Sequence, residues 1–190
     1  MKLLEDRILK DGKIFPDNIL KVGSFLNHQI DVSLLKEIGS EFRRLYAGSE
    51  VTKVLTIEAS GIGIAAFTAE AFGCPMLFAK KTQTKNIAGD VYTAKVMSYT
   101  HGKVYDIIVS KEFLHEGDKV LIVDDFLANG AALEGLISLV EQAGATLVGC
   151  GIAIEKGFQG GGDRLRSRGV RVESLAVIDE MTDSSIKFRK

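Results

Sequence analysis

Little in this chain marks it for an oxidising compartment, a membrane or a polyanion. Only two cysteines occur, Cys74 and Cys150, far apart and each beside or within an apolar run. That argues against a disulfide framework and a zinc site, and leads us to expect two buried thiols in a reducing, cytoplasmic setting. With two prolines and no repeat, low-complexity tract or polar linker, no domain boundary is visible. The 190 residues, 46% of them hydrophobic, suit one domain spanning 1–190. No run of about 18 or more apolar residues exists, so no membrane span is expected. The stretch Met1–Lys10 mixes charges with leucines at helical spacing and lacks the apolar core of a signal peptide. An excess of one charge sign is missing too: 24 Lys+Arg against 25 Asp+Glu leave −1. Neither nucleic acid nor an anionic membrane is favoured by that balance, and a small-molecule partner fits better. Of the three histidines, His28 and His115 are isolated and His101 falls in a turn, so none has metal-ligand spacing.

What is present is a change of period along the chain. Leu35, Ile38, Phe42 and Leu45 recur at helical spacing behind a candidate N-cap, Asp31, and predict an amphipathic helix ending near Gly48. Residues 51–57 read as a strand, Ile62 to Phe72 as a helix apolar almost all round and closed by Gly73, and Met76 to Ala79 as a short strand. A polar stretch from Lys80 to Asp90 precedes two β-rich runs, 91–99 and 103–109, about a His101-Gly102 turn. Lys119 to Asp125 is a further strand. Leu133, Leu136, Ile137 and Val140 then mark a helix over 131–143. Ala145 to Ile154 is another apolar strand; a glycine-rich stretch, Gly157 to Gly162, a short helix and a strand at 172–177 complete the chain. Strands without alternation, separated by helices, indicate an α/β class with a mainly parallel sheet covered on both faces. The first 31 residues and the hairpin do not fit that alternation and are expected to form a hood or flap near one end of the sheet.

Val120 to Leu133 (VLIVDDFLANGAAL) carries the chemistry. Ligands sit beyond the carboxyl ends of strands in open α/β sheets, and Asp124 and Asp125 fall there. Two adjacent carboxylates repel one another unless hydroxyls, a metal ion or a cationic transition state meet them. The loop behind them leads into a helix N-terminus, whose free amides and dipole suit a phosphate. Carboxylates for hydroxyls beside amides for a phosphate describe a ribose-5-phosphate pocket. The alternative is a turn in which Asp125 caps and Asn129 takes a left-handed conformation. Neither a Walker loop nor a Gly-x-Gly-x-x-Gly motif joining a strand to a helix occurs.

This stretch resembles the phosphoribosyl pyrophosphate motif of the type I phosphoribosyltransferase family, except that its loop, Ala128 to Ala132, lacks the usual threonines. Together with Ser24–Asp31 (SFLNHQID), Ile57–Ile62 (IEASGI) and Ile154–Gln159 (IEKGFQ), it resembles the bacterial xanthine phosphoribosyltransferases within that family. The resemblance implies the type I fold, a central mainly parallel sheet with flanking helices, a small hood and a flexible hairpin or loop. It also implies transfer of 5-phosphoribosyl from phosphoribosyl pyrophosphate to xanthine, handled with Mg²⁺ and in a homodimer.

By this resemblance Asp124 and Asp125 face the ribose hydroxyls and the developing cation, while Ala128, Asn129, Gly130, Ala131 and Ala132 bind the 5-phosphate. Ser60 and Gly61, at a turn from strand to helix, supply pyrophosphate donors, or Ser60 serves only as an N-cap. Lys80, Lys81 and Lys85 add charge from the polar segment, or are solvated; that segment would close over the reactants. Lys156 meets the purine's oxo group, with the bland alternative that it snorkels to solvent. Leu20 and Asn27 complete the base pocket, and Asn27 either selects the C2 oxo group or caps a turn. Phe158 stacks on the base or plugs local core. Arg164, Arg166 and Arg168, spaced by two, cannot share a helical face and are read as solvated surface. A guanine or hypoxanthine transferase would share the sugar-phosphate site. A regulator that senses phosphoribosyl pyrophosphate would need a DNA-binding module, for which the residues before Val51 leave no room.

Overall fold

The computed structural model describes residues 1–81, 89–98 and 103–190. The chain opens with helix α1 (Lys2–Asp11), a hairpin of β1 (Lys13–Phe15) and β2 (Ile19–Lys21), and a π-helical turn, Gly23–Asn27. Helix α2 (Val32–Leu45) is capped as its sequence predicts: the Leu34 amide donates to the Asp31 carboxylate at 3.1 Å. Then follow β3 (Lys53–Ile57), α3 (Gly61–Phe72), β4 (Met76–Ala79), the hairpin β5 (Val91–Ser98) and β6 (Lys103–Ser110), and β7 (Lys119–Leu127). The last third holds α4 (Ala131–Gln142), β8 (Thr146–Lys156), a 3₁₀ turn at Gly157–Gln159, α5 (Gly161–Ser167), β9 (Val172–Met181) and β10 (Ile186–Phe188). The expected turn about His101, most of the polar segment and Lys85 lie outside the described residues.

Six strands make the main sheet in the order β10-β9-β8-β7-β3-β4. All neighbours are parallel except β10, which is antiparallel to β9. Strand β10 has no counterpart in the sequence reading, because three residues are too few to display a period. The sheet explains why its strands are apolar without alternation. Along β7, Leu121 and Val123 face a layer containing Phe42 of α2 and Ile64 of α3, while Val120 and Ile122 face one containing Leu136 and Leu139 of α4. Both faces are therefore buried.

The N-terminal segment and the hairpin are packed onto the sheet and its helices. Leu4 and Ile8 of α1 are fully buried in the layer that holds Phe42, together with Phe25 and Leu26 of the π turn. The hairpin lies across α4, with Val96 and Ile107 packed against Gly135. It is also joined to the sheet edge, since Lys80 and Ile108 exchange backbone hydrogen bonds of 3.0 and 2.9 Å. From β3 the chain moves outward to β4, whereas from β7 it moves the other way to β8. A crevice opens where the direction of winding reverses, beyond the carboxyl ends of β3 and β7.

Candidate active site

Asp124 and Asp125 stand at that crevice, 6% and 7% exposed. The Asp125 amide donates to Asp124 Oδ1 at 3.0 Å. Burial, and then the charge of Asp125, hold the Asp124 carboxyl well above its usual range, with the charge of Lys81 acting in the opposite direction. On the other lip, β3 runs through the cis Glu58–Ala59 peptide into Ser60 and the start of α3. Gly61 is required there by close approach: a Cβ would overlap Thr56 Oγ1 and come within 2.8 Å of Asp124 Oδ1. Ser60 makes no side-chain bond to the helix, so the capping role considered for it is not taken. The Lys81 amide donates to Glu58 Oε1 at 2.7 Å, bringing the lysine to the same lip, where its ammonium lies 5.7 Å from the centre of the Tyr105 ring.

The loop after β7 is shaped as an anion site. Gly130, at φ +86°, takes the left-handed conformation, which corrects the alternative that assigned it to Asn129. Instead Asn129 Oδ1 accepts from the Ala131 amide at 3.1 Å and tightens the turn into α4. The next amides of α4, those of Ala132 and Leu133, have no acceptor within the helix, and the loop's small side chains, Ala128, Ala131 and Ala132, line the cavity beside them.

Two pieces of the N-terminal segment reach the same end of the sheet. Asn27, the last residue of the π turn, donates from Nδ2 to Asp125 Oδ2 at 2.9 Å rather than capping a turn. The β1–β2 connection brings Asp17 and Asn18, at φ 63° and 58°, against Lys156, whose ammonium donates to the Asn18 carbonyl at 2.8 Å and lies 5.9 Å from the Phe126 ring centre. Burial lowers the pKa of Lys156. A cavity of about 550 Å³ is lined by Asp17, Asn18, Ile19, Tyr105, Lys156 and Gln159, together with Ala128, Asn129, Ala131 and Ala132 of the loop.

Most of the residues singled out in the sequence thus converge. The side chain of Leu20 is buried in the core, and it is Asn18 and Ile19, just before it in the chain, that line the cavity. Phe158 is 38% exposed on the 3₁₀ turn and is not among the lining residues; its neighbour Gln159 is. Sequence reading missed Tyr105, Gln159 and the Asp17–Asn18 turn. Pro16-Asp17-Asn18 carries a turn signal, but nothing local says that the turn faces Lys156. Of the three arginines, Arg164 and Arg168 are exposed as expected, and Arg166 requires correction. Arg166 pairs with the fully buried Glu155 at 2.6 Å, Arg164 donates to the Asn129 carbonyl, and Arg168 reaches Glu134 at 3.2 Å. Arg166 is thus a half-buried tie between elements, while Arg164 and Arg168 make their contacts from the surface.

An acidic pair, a loop that leads into a helix N-terminus and a second strand-to-helix turn lie at one end of the sheet, and the chain belongs to the phosphoribosyl transferase domain family, whose model matches residues 21–183. It is similar to the xanthine phosphoribosyltransferase of Lachnoclostridium phytofermentans, 56% identical over 100% of this chain and 98% of that protein. It is also similar to xanthine phosphoribosyltransferase 2 of Clostridium botulinum, 53% identical over the full length of both. In fold it matches the adenine phosphoribosyltransferase of Giardia lamblia complexed with 9-deazaadenine, with a TM-score of 0.78, 24% identity and coverage of 94% and 98% of the two chains. The adenine phosphoribosyltransferase of Rhodothermus marinus matches with a TM-score of 0.75 and 23% identity, over 94% and 100%. No helix among the described residues is long and apolar enough to cross a membrane.

Proposed function

We propose that this chain transfers the 5-phosphoribosyl group of phosphoribosyl pyrophosphate to xanthine, forming xanthosine 5′-monophosphate and releasing pyrophosphate. The observation that carries this reading is a cavity lined at once by Asn18, Lys156 and the loop residues Ala128, Asn129, Ala131 and Ala132, with Asn27 bonded to Asp125 on the strand that leads into that loop. Full-length similarity to proteins named for xanthine supports the choice of base.

Displacement at the anomeric carbon gathers positive charge on the ribose ring as the bond to pyrophosphate lengthens. Asp124 and Asp125, already buried, stabilise that charge without reorganising. Amides of Ala128 to Ala132 hold the 5-phosphate, while Ser60, Gly61 and Lys81 hold the pyrophosphate. Lys156 donates to an oxo group of the purine, and its bond to Asn18 leaves two of its N–H donors for that purpose. Asn27 uses one amide hydrogen on Asp125 and offers the other to the C2 oxo group, so a base without an acceptor there leaves a buried donor unpaired. Leu20 contributes by anchoring the segment that carries Asn18 and Ile19 to the cavity. Phe158, exposed on the 3₁₀ turn and outside the cavity lining, is assigned no contact with the base.

The residues present fit Mg²⁺ carried on the diphosphate. Among the described residues no group of three or more His, Cys, Asp or Glu could hold a metal, and Mg²⁺ commonly uses one or two carboxylates with substrate phosphates. Mg²⁺ would supply charge neutralisation on the pyrophosphate there, and Asp124 and Asp125 would be the side chains to hold it. The whole chain acts as one domain. A reducing cytoplasm is supported by the free thiols of Cys74 and Cys150, and a homodimer by exposed Leu3, Ile30 and Val32; light scattering after gel filtration tests the latter.

The test of function is kcat/KM for xanthine, guanine, hypoxanthine and adenine with phosphoribosyl pyrophosphate and Mg²⁺, on the native chain and Asn27→Ala. Xanthine should lead, and the variant should lose much of that lead. A lead by guanine or hypoxanthine overturns the choice of base, and no turnover of any base overturns catalysis.

A further inference from the structure

Glu155 is fully buried and charged, a costly arrangement unless its geometry is well met. Arg166 meets it with both prongs of its guanidinium, Nη1 to Oε1 at 2.9 Å and Nη2 to Oε2 at 2.6 Å, and the Ser174 hydroxyl donates to the same carboxylate. The pair ties α5 to β8 at the residue before Lys156. Seven residues are too few to hold a helix by themselves, so the position of α5 depends on such ties. Gly162 has no room for a Cβ, which would overlap Glu155 Oε1 and lie 2.8 Å from Arg166 Nη1.

The other end of this device is the phosphate loop. A Cβ on Gly161 would overlap the Ala128 carbonyl and come within 2.6 Å of the Asn129 carbonyl carbon and 2.8 Å of the Gly130 nitrogen. Backbone thus lies on backbone. Arg164 adds a hydrogen bond from Nη2 to the Asn129 carbonyl. One side of the loop lines the cavity, and α5 closes off another.

We propose that Glu155, Arg166 and Arg164 are positioning residues for phosphoribosyl pyrophosphate: the buried pair seats α5, and α5 with Arg164 holds the loop backbone in its phosphate-binding shape. This rests on the reading that residues 128–132 bind the 5-phosphate. Small misplacements of a binding group cost rate steeply. The effect falls on phosphoribosyl pyrophosphate and spares the base.

The experiment is steady-state kinetics with melting temperatures for Arg164→Leu, Arg164→Gln, Glu155→Gln and Ala131→Asp. Arg164 is half-exposed, so its variants fold even if breaking the buried pair does not. Arg164→Leu should raise KM for phosphoribosyl pyrophosphate by about tenfold, with KM for xanthine and the melting temperature nearly unchanged. Arg164→Gln keeps an N–H for the Asn129 carbonyl and should recover most of the loss. Glu155→Gln, where folded, should shift the same constant. Equal impairment of the Leu and Gln variants overturns the proposal in favour of a simple charge effect, and native constants in Arg164→Leu overturn it outright. Ala131→Asp puts a carboxylate on the loop itself. If it alone abolishes binding of phosphoribosyl pyrophosphate, only the brace is wrong; if it binds normally, the phosphate-loop reading falls as well.

Discussion

The two halves of the site are built differently. The sugar-phosphate half, from Asp124 to Ala132, is one continuous stretch at the junction of β7 and α4. The base half is assembled from two distant segments: Asn18 and Asn27 come from the N-terminal segment, Lys156 and Gln159 from the end of β8 and the turn behind it, and they come to one end of the sheet only because the N-terminal segment packs there. On the proposed reading a phosphate and a cationic ribose are met by a local motif, since a strand end and a helix N-terminus already supply carboxylates and amides. A flat base with several polar edges needs groups from several directions.

The largest expected effect breaks the local half. Asp125→Asn should lower kcat by about 100-fold or more, as loss of a preorganised transition-state contact does, roughly 3 kcal/mol. Asp124→Asn should also disable the enzyme yet raise its melting temperature at neutral and alkaline pH. The sign follows from burial and then Asp125, which raise the Asp124 pKa in the folded chain. The stability owed to this group is full at pH below the ordinary carboxylate range and is lost as pH rises through the raised value. Melting curves of both chains across pH check this; a variant less stable than the native chain at high pH contradicts it.

A smaller effect should appear in the assembled half. Lys156→Gln is expected to raise KM for xanthine by about tenfold while leaving that for phosphoribosyl pyrophosphate near its native value, because a charge-assisted bond is replaced by a neutral one. Equal shifts in both constants would erase the division between the halves. Smallest should be Tyr46→Phe, remote from both: its hydroxyl donates to the Cys150 carbonyl at 2.8 Å, and losing that buried bond should cost about 1 kcal/mol of stability with unchanged kinetics. Chemical denaturation with parallel assays measures both quantities. Burial pushes the Cys150 thiol up to about 12, so in the folded chain it should resist alkylating reagents that label an ordinary cysteine.

Strands β3, β7 and β8 and helices α2 to α4 are legible in the sequence, since two-sided burial leaves unbroken apolar runs and amphipathic helices leave a period. So are the acidic pair and its loop, whose residue types and spacing already state their chemistry. The partners of Arg164 and Arg166 are not legible. A spacing of two shows only that they cannot share a helical face, whereas Glu155 and Asn129 belong to other elements. Nor could sequence place Asp17 and Asn18 beside Lys156, or β10 beside β9. Short-range order is written in residue type and period because each backbone conformation selects its own side chains. Which distant segments touch depended on how α1, the π turn and α5 packed against the sheet, and that packing aimed Asn27 at Asp125, Asn18 at Lys156 and Arg164 at the phosphate loop.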